Sequence, residues 1–217
     1  MRHIAVIGLS DFGYHAALQL MKNGCEVTVI DYNRTKIESI KDEVSHAIVA
    51  DASNKEVLEG LELNKMDVVV LTIGSDLSKS ILTTLYLKEL GCKEIVVRVQ
   101  NEAHGKVVSL IGAKQVLFPE RDMGINVANS LSFPGVLDSL ELATGYSVIE
   151  LGAPKAFIGK SIKELDVRAK YNVQIIAIKE VVPERFNLIP PASFVIKDSD
   201  ILILLGRDED LDKLKKL

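Results

Sequence analysis

The chain has few of the residues that stabilise secreted or metal-binding domains. Its 217 residues include no tryptophan and only two cysteines, Cys25 and Cys92. Two thiols at unrelated positions indicate neither a disulfide framework nor a metal site, and they favour the cytoplasm. The four histidines also lack metal-ligand spacing. The composition therefore argues against a disulfide-rich or zinc-binding class.

Long apolar runs and basic clusters are also missing. The longest apolar run is Ile201 to Leu205, whereas a membrane-spanning helix needs about 20 apolar residues. No signal peptide is expected, because Arg2 and His3 lead directly into a short strand-like run. A formal net charge of −4 without a Lys/Arg block argues against a nucleic-acid partner.

The first half of the chain instead alternates regularly between strand-like and helix-like segments. Six apolar runs, at 3–8, 26–31, 46–51, 67–73, 94–99 and 114–118, are separated by amphipathic segments and short loops. This order predicts parallel βαβ units with helices on both faces of the sheet. The predicted fold class is α/β, a Rossmann-like doubly wound sheet with a ligand crevice at the carboxyl ends of its strands.

The pattern changes after Pro119. Helical spacing predicts one helix from there towards Pro134 and a second short helix from Val136 to Leu142, which together form a crossover helix-turn-helix. Later strands are predicted at 146–152, 172–180, 193–196 and 200–206, and helices at 161–171 and 208–217. We therefore predict a nucleotide-binding domain over residues 1–135, which includes the crossover helix, and a small α+β domain over residues 136–217.

A glycine-rich sequence, VIGLSDFG, joins the first strand to the first helix. Gly8 permits the tight turn, Gly13 permits close packing of the helix on the strand, and the helix N-terminus offers N–H groups to a phosphate. Ser10 occupies the middle glycine position of G-x-G-x-x-G. Its Cβ would push a phosphate back, or its hydroxyl would donate to one. Asp11 either caps the helix or repels a triphosphate unless a cation bridges the two.

Acidic residues at the ends of the next two strands are candidates for nucleoside binding. Asp31 ends the second strand, where a carboxylate binds ribose hydroxyls and disfavours the 2′-phosphate of NADP. Asp51, Ala52 and Ser53 end the third strand. They either line the adenine side of the crevice or cap the next helix.

The chain lacks the usual catalytic motifs. It contains no G-x-S-x-G, no H-E-x-x-H and no Walker A lysine. The small second domain also leaves little room for a substrate. These features favour a regulatory binding module over the alternative, a small NAD-dependent oxidoreductase.

Several segments are characteristic in combination. They are VIGLSDFG, VTVID, VADAS, VVVLTIG with ILTTLYLKELG, VVRVQN, IGAKQVLFPERDMG and GKSIKELDVRAKYNVQIIAIKE. Together they resemble the KtrA/TrkA family, the cytosolic RCK-domain regulators of bacterial potassium uptake, and most closely its single-RCK KtrA type. The resemblance covers nearly the whole chain.

The resemblance implies a nucleotide sensor without catalytic turnover. The first domain would bind ADP or ATP, and AMP or NAD(H) as alternatives. Homodimers would form through the crossover helices, and four dimers would assemble into an octameric ring. The ring would be cytoplasmic and peripheral, docked on the inner face of the cell membrane through a KtrB/TrkH-type potassium transporter subunit. A third possibility is a structural ring subunit whose nucleotide site has decayed through Ser10 and Asp11.

The resemblance also implies site residues. Gly8, Phe12 and Gly13 match the family's phosphate turn, Asp31 its ribose-binding acid, Asp51 and Ser53 its adenine-side turn, Ile73 and Gly74 its turn over the base, Arg98 a ligand-facing cation, and Glu120 an acid near the terminal phosphate and its divalent cation. In the second domain, Asp166, Arg168, Ala169, Ile175, Pro190 and Pro191 lie in blocks that resemble the surroundings of a cyclic di-AMP pocket. The alternative for these residues is an ordinary interface, with Arg168 paired to Asp166 or Glu164.

Two residues depart from the family pattern. Ser10 replaces a glycine, and Asp11 replaces an arginine that reaches the γ-phosphate held by the neighbouring subunit. One charge pair about 4 Å apart contributes roughly 4 kcal/mol at an effective dielectric constant near 20. We therefore expect a preference for ADP, AMP or NAD(H), or a bound cation beside Asp11 when ATP binds.

Overall fold

The computed structural model describes residues 1–73, 76–132 and 135–217. The chain divides into two compact units, Met1–Arg121 and Asp122–Leu217. Within the described ranges, no helix is long and apolar enough to cross a membrane.

The first unit is a parallel sheet with helices between its strands. Its described part contains six strands, β1 (His3–Ile7), β2 (Glu26–Asp31), β3 (His46–Val49), β4 (Val68–Leu71), β5 (Ile95–Arg98) and β6 (Gln115–Leu117), in the order β3-β2-β1-β4-β5-β6. The connections contain α1 (Asp11–Lys22), α2 (Arg34–Ile40), α3 (Lys55–Gly60) with a 3-10 turn at Leu63–Lys65, α4 (Leu77–Glu89) and α5 (Glu102–Ile111). All pairings are parallel. The predicted Rossmann-like sheet is thus confirmed.

Apolar side chains on both sheet faces form the core of this unit. Ile7 and Leu71 pack into the cluster on one face, and Val6 and Val29 pack into the cluster on the other. Because helices cover both faces, the strands are mostly apolar rather than alternating. The strand order reverses between β1 and β4, so their carboxyl ends border a crevice.

Side-chain caps begin all five helices of this sheet. The N-cap residues are Ser10, Asn33, Asn54, Asp76 and Asn101, and each accepts a hydrogen bond from a backbone N–H in the first turn. Such caps stabilise a helix start by about 1 kcal/mol each. They therefore fix where each helix begins relative to the end of the preceding strand.

The second unit contains an antiparallel sheet in the order β10-β9-β11-β8-β7. Its described strands are β7 (Val136–Ala143), β8 (Tyr146–Gly152), β9 (Gln174–Glu180), β10 (Arg185–Leu188) and β11 (Ile201–Arg207). Its helices are α7 (Ile162–Leu165), α8 (Val167–Tyr171) and α9 (Asp208–Leu214), with a 3-10 turn at Lys155–Phe157. Helix α6 (Pro119–Ser132) begins in the first unit and ends in the second. The predicted assignment of this helix to a domain ending at residue 135 stays a prediction.

The prediction of a second crossover helix from Val136 to Leu142 was wrong. These residues belong to β7, which pairs with β8 across a turn at Gly145. Val136 and Leu140 have helical spacing, but a segment this short is decided by its neighbours. Here β8 supplies the hydrogen-bond partners of a hairpin.

Two smaller predictions in the second unit also changed, and one strand was missed. The strand predicted at 193–196 is only a single bridge between Ser161 and Val195. The helix predicted at 161–171 is divided into α7 and α8 by Asp166, whose φ is 44°. Strand β10 was not predicted. Its alternation of Arg185 and Asn187 with apolar residues is too short to identify a strand, and the pairing with β9 is what makes it an edge strand.

Candidate functional site

A cavity of about 340 Å³ lies in the first unit, where β1, β2, β3 and β4 end. This volume is within the usual range for small-molecule sites. The lining residues are Ile7, Gly8, Ser10, Ile30, Asp31, Tyr32, Lys36, Ala50, Asp51, Ala52, Thr72, Ile73, Asp76 and Lys79. Ligands of doubly wound sheets bind at this position.

The turn between β1 and α1 needs both of its glycines. Gly8 has a φ of 91°, and a Cβ there would lie 3.0 Å from the backbone nitrogen of Ile73. A Cβ on Gly13 would overlap the carbonyl oxygen of Gly8 and the hydroxyl of Thr72. The glycine spacing seen in the sequence therefore reflects close contact between this turn and β4.

Ser10, rather than Asp11, caps α1. The Ser10 hydroxyl oxygen accepts a hydrogen bond from the Gly13 N–H at 3.3 Å. Asp11 is the exposed first residue of the helix, so its predicted capping role was wrong. The Ser10 hydroxyl hydrogen can still donate, which is compatible with a phosphate at this helix start.

Asp31 connects β2 to the turn. Its side chain is nearly buried, and Oδ2 accepts from the Leu9 N–H at 2.6 Å while Oδ1 accepts from the Asn33 N–H at 2.8 Å. Each carboxylate oxygen can accept a second hydrogen bond. Asp31 can therefore bind ribose hydroxyls while it holds the backbone of the turn.

Asp51 lines the cavity shortly after the end of β3. Its Oδ1 accepts from the Ser53 N–H at 2.9 Å and from the Ser53 hydroxyl at 2.7 Å. These hydrogen bonds, with a smaller contribution from the charge of Lys79, lower the pKa of Asp51. Asn54 caps α3, so neither Asp51 nor Ser53 has the capping role considered as an alternative. Asp51 is thus an acceptor suited to an amino group of a base.

Helix α4 contacts the segment of the cavity lining that follows β3. The Thr83 hydroxyl donates to the carbonyl oxygen of Ala52 at 3.1 Å. One turn earlier, the ammonium of Lys79 lies 5.7 Å from the ring centroid of Tyr32. Tyr32 is largely exposed, so its ring and the Lys79 side chain form the outer rim.

The structure brings together six of the predicted ligand-binding residues in this lining, namely Gly8, Ser10, Asp31, Asp51, Ala52 and Ile73. Asp11, Phe12, Gly13 and Ser53 adjoin these residues in the chain but do not line the cavity. Gly74 lies outside the described residues. The role of each residue towards a nucleotide stays a prediction.

Sequence analysis missed several lining residues, among them Lys36, Thr72, Asp76 and Lys79. Lys36 and Lys79 share one signal, because each stands three positions after a helix N-cap that follows a strand. Thr72 directly follows β4 and is fully buried. Its hydroxyl donates to the carbonyl oxygen of Gly8.

Arg98 and Glu120 form an ion pair outside this lining. The Arg98 guanidinium donates to Glu120 Oε1, and this hydrogen bond lowers the pKa of the carboxyl group. The Arg98 side chain is 14% exposed, whereas that of Glu120 is 63% exposed. Across the described ranges, no group of three or more His, Cys, Asp or Glu residues could hold a metal ion. The predicted cation role of Glu120 therefore stays a prediction.

The residues predicted for a second ligand differ in exposure. Asp166, Arg168, Ala169 and Pro191 are exposed, and Pro190 is half-buried. Ile175 is buried in the core of the second unit. Among the described contacts, Arg168 forms no ion pair with Asp166, and Glu164 instead accepts hydrogen bonds from Ser161. Their role in ligand binding stays a prediction.

Comparison with known proteins identifies both parts of the chain. Residues 4–119 match the TrkA-N domain, and residues 147–217 match the TrkA-C domain. In structure, the chain is similar to the GsuK RCK domain, with a TM-score of 0.69 and 21% identity over the whole of this chain and 47% of that one. This likeness shows the shared fold.

The relatives that match nearly the full length include two Ktr system proteins. Ktr system potassium uptake protein C of Bacillus subtilis (strain 168) is 39% identical over 99% of this chain and 96% of its own. Ktr system potassium uptake protein A of Vibrio alginolyticus is 33% identical over 100% of this chain and 98% of its own. As its sequence motifs predicted, the chain belongs to the Ktr/TrkA family of potassium uptake proteins, with a TrkA-N domain followed by a TrkA-C domain.

Proposed function

We propose that this chain is the nucleotide-sensing regulatory subunit of a potassium uptake system. The observation that carries the proposal is the cavity at the carboxyl ends of the parallel strands, in a chain 39% identical to a Ktr system potassium uptake protein. Binding of a nucleotide there would change the affinity of the subunit for its membrane partner. This reversible binding function needs no catalytic turnover.

The ligand we propose is ADP, with AMP or NAD(H) as alternatives. Asp31 is placed to accept from ribose hydroxyls, and the Ser10 hydroxyl and the first turn of α1 offer donors to phosphate. Asp11 adds a negative charge at that helix start, so ATP would require a divalent cation beside it. The structurally similar GsuK channel has been solved bound to NAD.

Assembly and membrane docking are proposed from the surface of α6 and from the relatives. Met123, Ile125, Val127 and Leu131 on α6 are all exposed and apolar. Such a surface supports pairing of two chains through this helix. We propose a homodimer that assembles into an octameric ring. The ring would be cytoplasmic, peripheral at the inner face of the cell membrane, and bound to a KtrB/TrkH-type transporter subunit.

Two further ligands are proposed, one for each domain. Glu120 forms an ion pair with Arg98. A divalent cation would bind Glu120 only if the carboxylate released Arg98 or bound both the guanidinium and the cation. Cyclic di-AMP would bind around Asp166, Arg168 and Ala169, which are exposed on the second unit. The relationship to Ktr proteins does not favour the oxidoreductase alternative.

The nucleotide proposal is tested on the purified, untreated protein. The chain is denatured, and any released adenine compound is identified by mass spectrometry. Calorimetric titration with ADP, ATP and NADH, with and without Mg²⁺, is carried out in parallel. We expect near-stoichiometric ADP, AMP or NAD(H), and ATP binding that depends on Mg²⁺. No released compound and no heat with any of the three would contradict the proposal.

The variant that tests whether the nucleotide binds in this cavity is Asp31→Ala. It removes the carboxylate from the cavity, and we expect it to lose at least tenfold in affinity for ADP. An unchanged affinity would mean that the nucleotide binds elsewhere. Pull-down of the membrane partner, with nucleotide present and absent, then tests the regulatory part of the proposal.

A further inference from the structure

Lys36 binds the phosphate turn directly. This residue is in the first turn of α2, and its ammonium donates a hydrogen bond to the carbonyl oxygen of Leu9 at 2.7 Å. Leu9 lies between Gly8 and Ser10, and both of these residues line the cavity together with Lys36. The lysine therefore spans from α2 to the turn at the edge of the cavity.

Leu9 is held at both of its backbone groups. Its N–H donates to Asp31 Oδ2 at 2.6 Å, and its carbonyl oxygen accepts from Lys36 at 2.7 Å. The negative carboxylate of Asp31 thus binds the N–H of Leu9, and the positive ammonium of Lys36 binds its carbonyl oxygen. These two hydrogen bonds hold the backbone of the turn from the end of β2 and from the first turn of α2.

The charges around the turn require a cation for an anionic ligand. Asp31 lines the cavity, and Asp11 is exposed at the start of α1. Among the described lining residues the cations are Lys36 and Lys79, and Lys79 lies over the ring of Tyr32 at the outer rim. Lys36 is therefore the lysine beside the turn.

A lysine ammonium has three donors and no acceptor. One donor is used by Leu9, so two remain for a ligand. Because Lys36 itself lines the cavity beside Gly8 and Ser10, its remaining donors and its positive charge are available to a ligand next to the turn. A phosphate is the ligand group that best uses a point charge with free N–H donors.

We propose that Lys36 is a specificity-determining residue of this cavity, which covers the Leu9 carbonyl and donates to the phosphates of the ligand. The site would therefore select a nucleoside diphosphate or a dinucleotide over the nucleoside itself. This inference rests on the proposed function, since it concerns the same nucleotide site. It adds a residue that supplies the positive charge that Asp11 does not.

The test compares three ligands that differ only in phosphate. Adenosine, AMP and ADP are titrated calorimetrically into the full chain in the presence of EDTA, which excludes a bridging cation. The variants are Lys36→Met, which keeps the aliphatic stem, and Lys36→Arg, which keeps the charge. Lys22→Met is the matched control, because Lys22 is an exposed lysine of α1 that does not line the cavity.

We expect Lys36→Met to weaken ADP binding at least tenfold and adenosine binding less than twofold. The affinity of Lys36→Arg for ADP should stay within about threefold of wild type. Lys22→Met should leave the ratio of ADP to adenosine affinity unchanged. If Lys36→Met does not fold, Lys36→Gln is the second uncharged variant, with the same expected ratio.

Two outcomes would overturn the inference while leaving the proposed function intact. One is an unchanged ratio of ADP to adenosine affinity in Lys36→Met. The other is an equal loss for all three ligands, which would mean that Lys36 only stabilises the turn. If the wild-type chain binds none of the three ligands, the proposed function fails as well, so the two failures are distinguishable.

Discussion

The hydroxyl of Thr72, at the end of β4, donates a hydrogen bond to the carbonyl oxygen of Gly8, at the end of β1. The Thr72 side chain is fully buried, and its contact joins the two strands at the point where the order of the sheet reverses. It is possible because Gly13 has no Cβ to fill the same space. The phosphate turn is therefore held by Thr72, which follows β4, as well as by Asp31, which ends β2.

Replacement of Gly13 tests this packing. We expect Gly13→Ala to lower the free energy of unfolding by about 1–3 kcal/mol, because the new Cβ would overlap Gly8 and Thr72. Nucleotide affinity should fall in parallel, since the turn must move. Urea unfolding and ADP titration measure the two effects. The control is Gly60→Ala, whose Cβ would meet open space, and equal effects of the two substitutions would contradict the prediction.

Thr72 gives a second, chemically milder test. Thr72→Val keeps the shape of the side chain but removes the donor, which leaves the Gly8 carbonyl oxygen without this partner. We expect a loss of about 1–2 kcal/mol in the free energy of unfolding. Thr72→Ser retains the hydroxyl and should lose less. Chemical denaturation of both variants decides the point, and a more stable valine variant would disprove the role of this hydrogen bond.

The charge of Asp11 predicts a change of ligand preference. Asp11 is exposed at the first position of α1, so Asp11→Arg should leave the fold unaltered. We expect the ratio of ATP to ADP affinity, measured without divalent cations, to rise about tenfold, which corresponds to about 1.4 kcal/mol. Asp11→Asn should give a smaller rise. If arginine left the ratio at the wild-type value, the phosphates would not approach this position.

His104 predicts a dependence of stability on pH. Its side chain is buried, Nε2 lies 3.1 Å from the Ser80 hydroxyl oxygen, and Nδ1 has no partner among the described residues. Burial lowers the pKa of His104 below its ordinary value of 6.5. The unfolded chain therefore binds a proton more readily than the folded chain, so stability falls as the pH drops below about 6.5 and continues to fall until the folded pKa is reached.

Urea unfolding at pH 7.5 and pH 5.5 measures this effect. We expect the wild-type chain to lose on the order of 1 kcal/mol more than His104→Gln over this interval. The exposed His15 provides the matched control, because His15→Gln should keep the wild-type pH dependence. An identical pH dependence in wild type and His104→Gln would show that His104 does not contribute.

Much of the first unit could be predicted from local patterns. Apolar strands, capped helices and short loops agree with one another at every step from β1 to β6, and parallel βαβ units have few alternative topologies. The second unit was harder. The short segment at Val136 has spacing that suits a helix or a strand, and only its pairing with β8 decides between them.

The sequence by itself determined the sheet, the position of the phosphate turn and the acidic residue that ends β2. These features follow from glycine conformation, strand periodicity and the fixed place of ligands at strand ends. Only the tertiary structure decided which side chains complete the cavity. The spacing of Lys36 after its N-cap is present in the sequence. The contacts of Lys36 and Thr72 with the turn, however, join residues distant in the chain, and such contacts leave no local pattern. For the same reason, the burial of His104 against Ser80 became visible only once α4 and α5 were packed together.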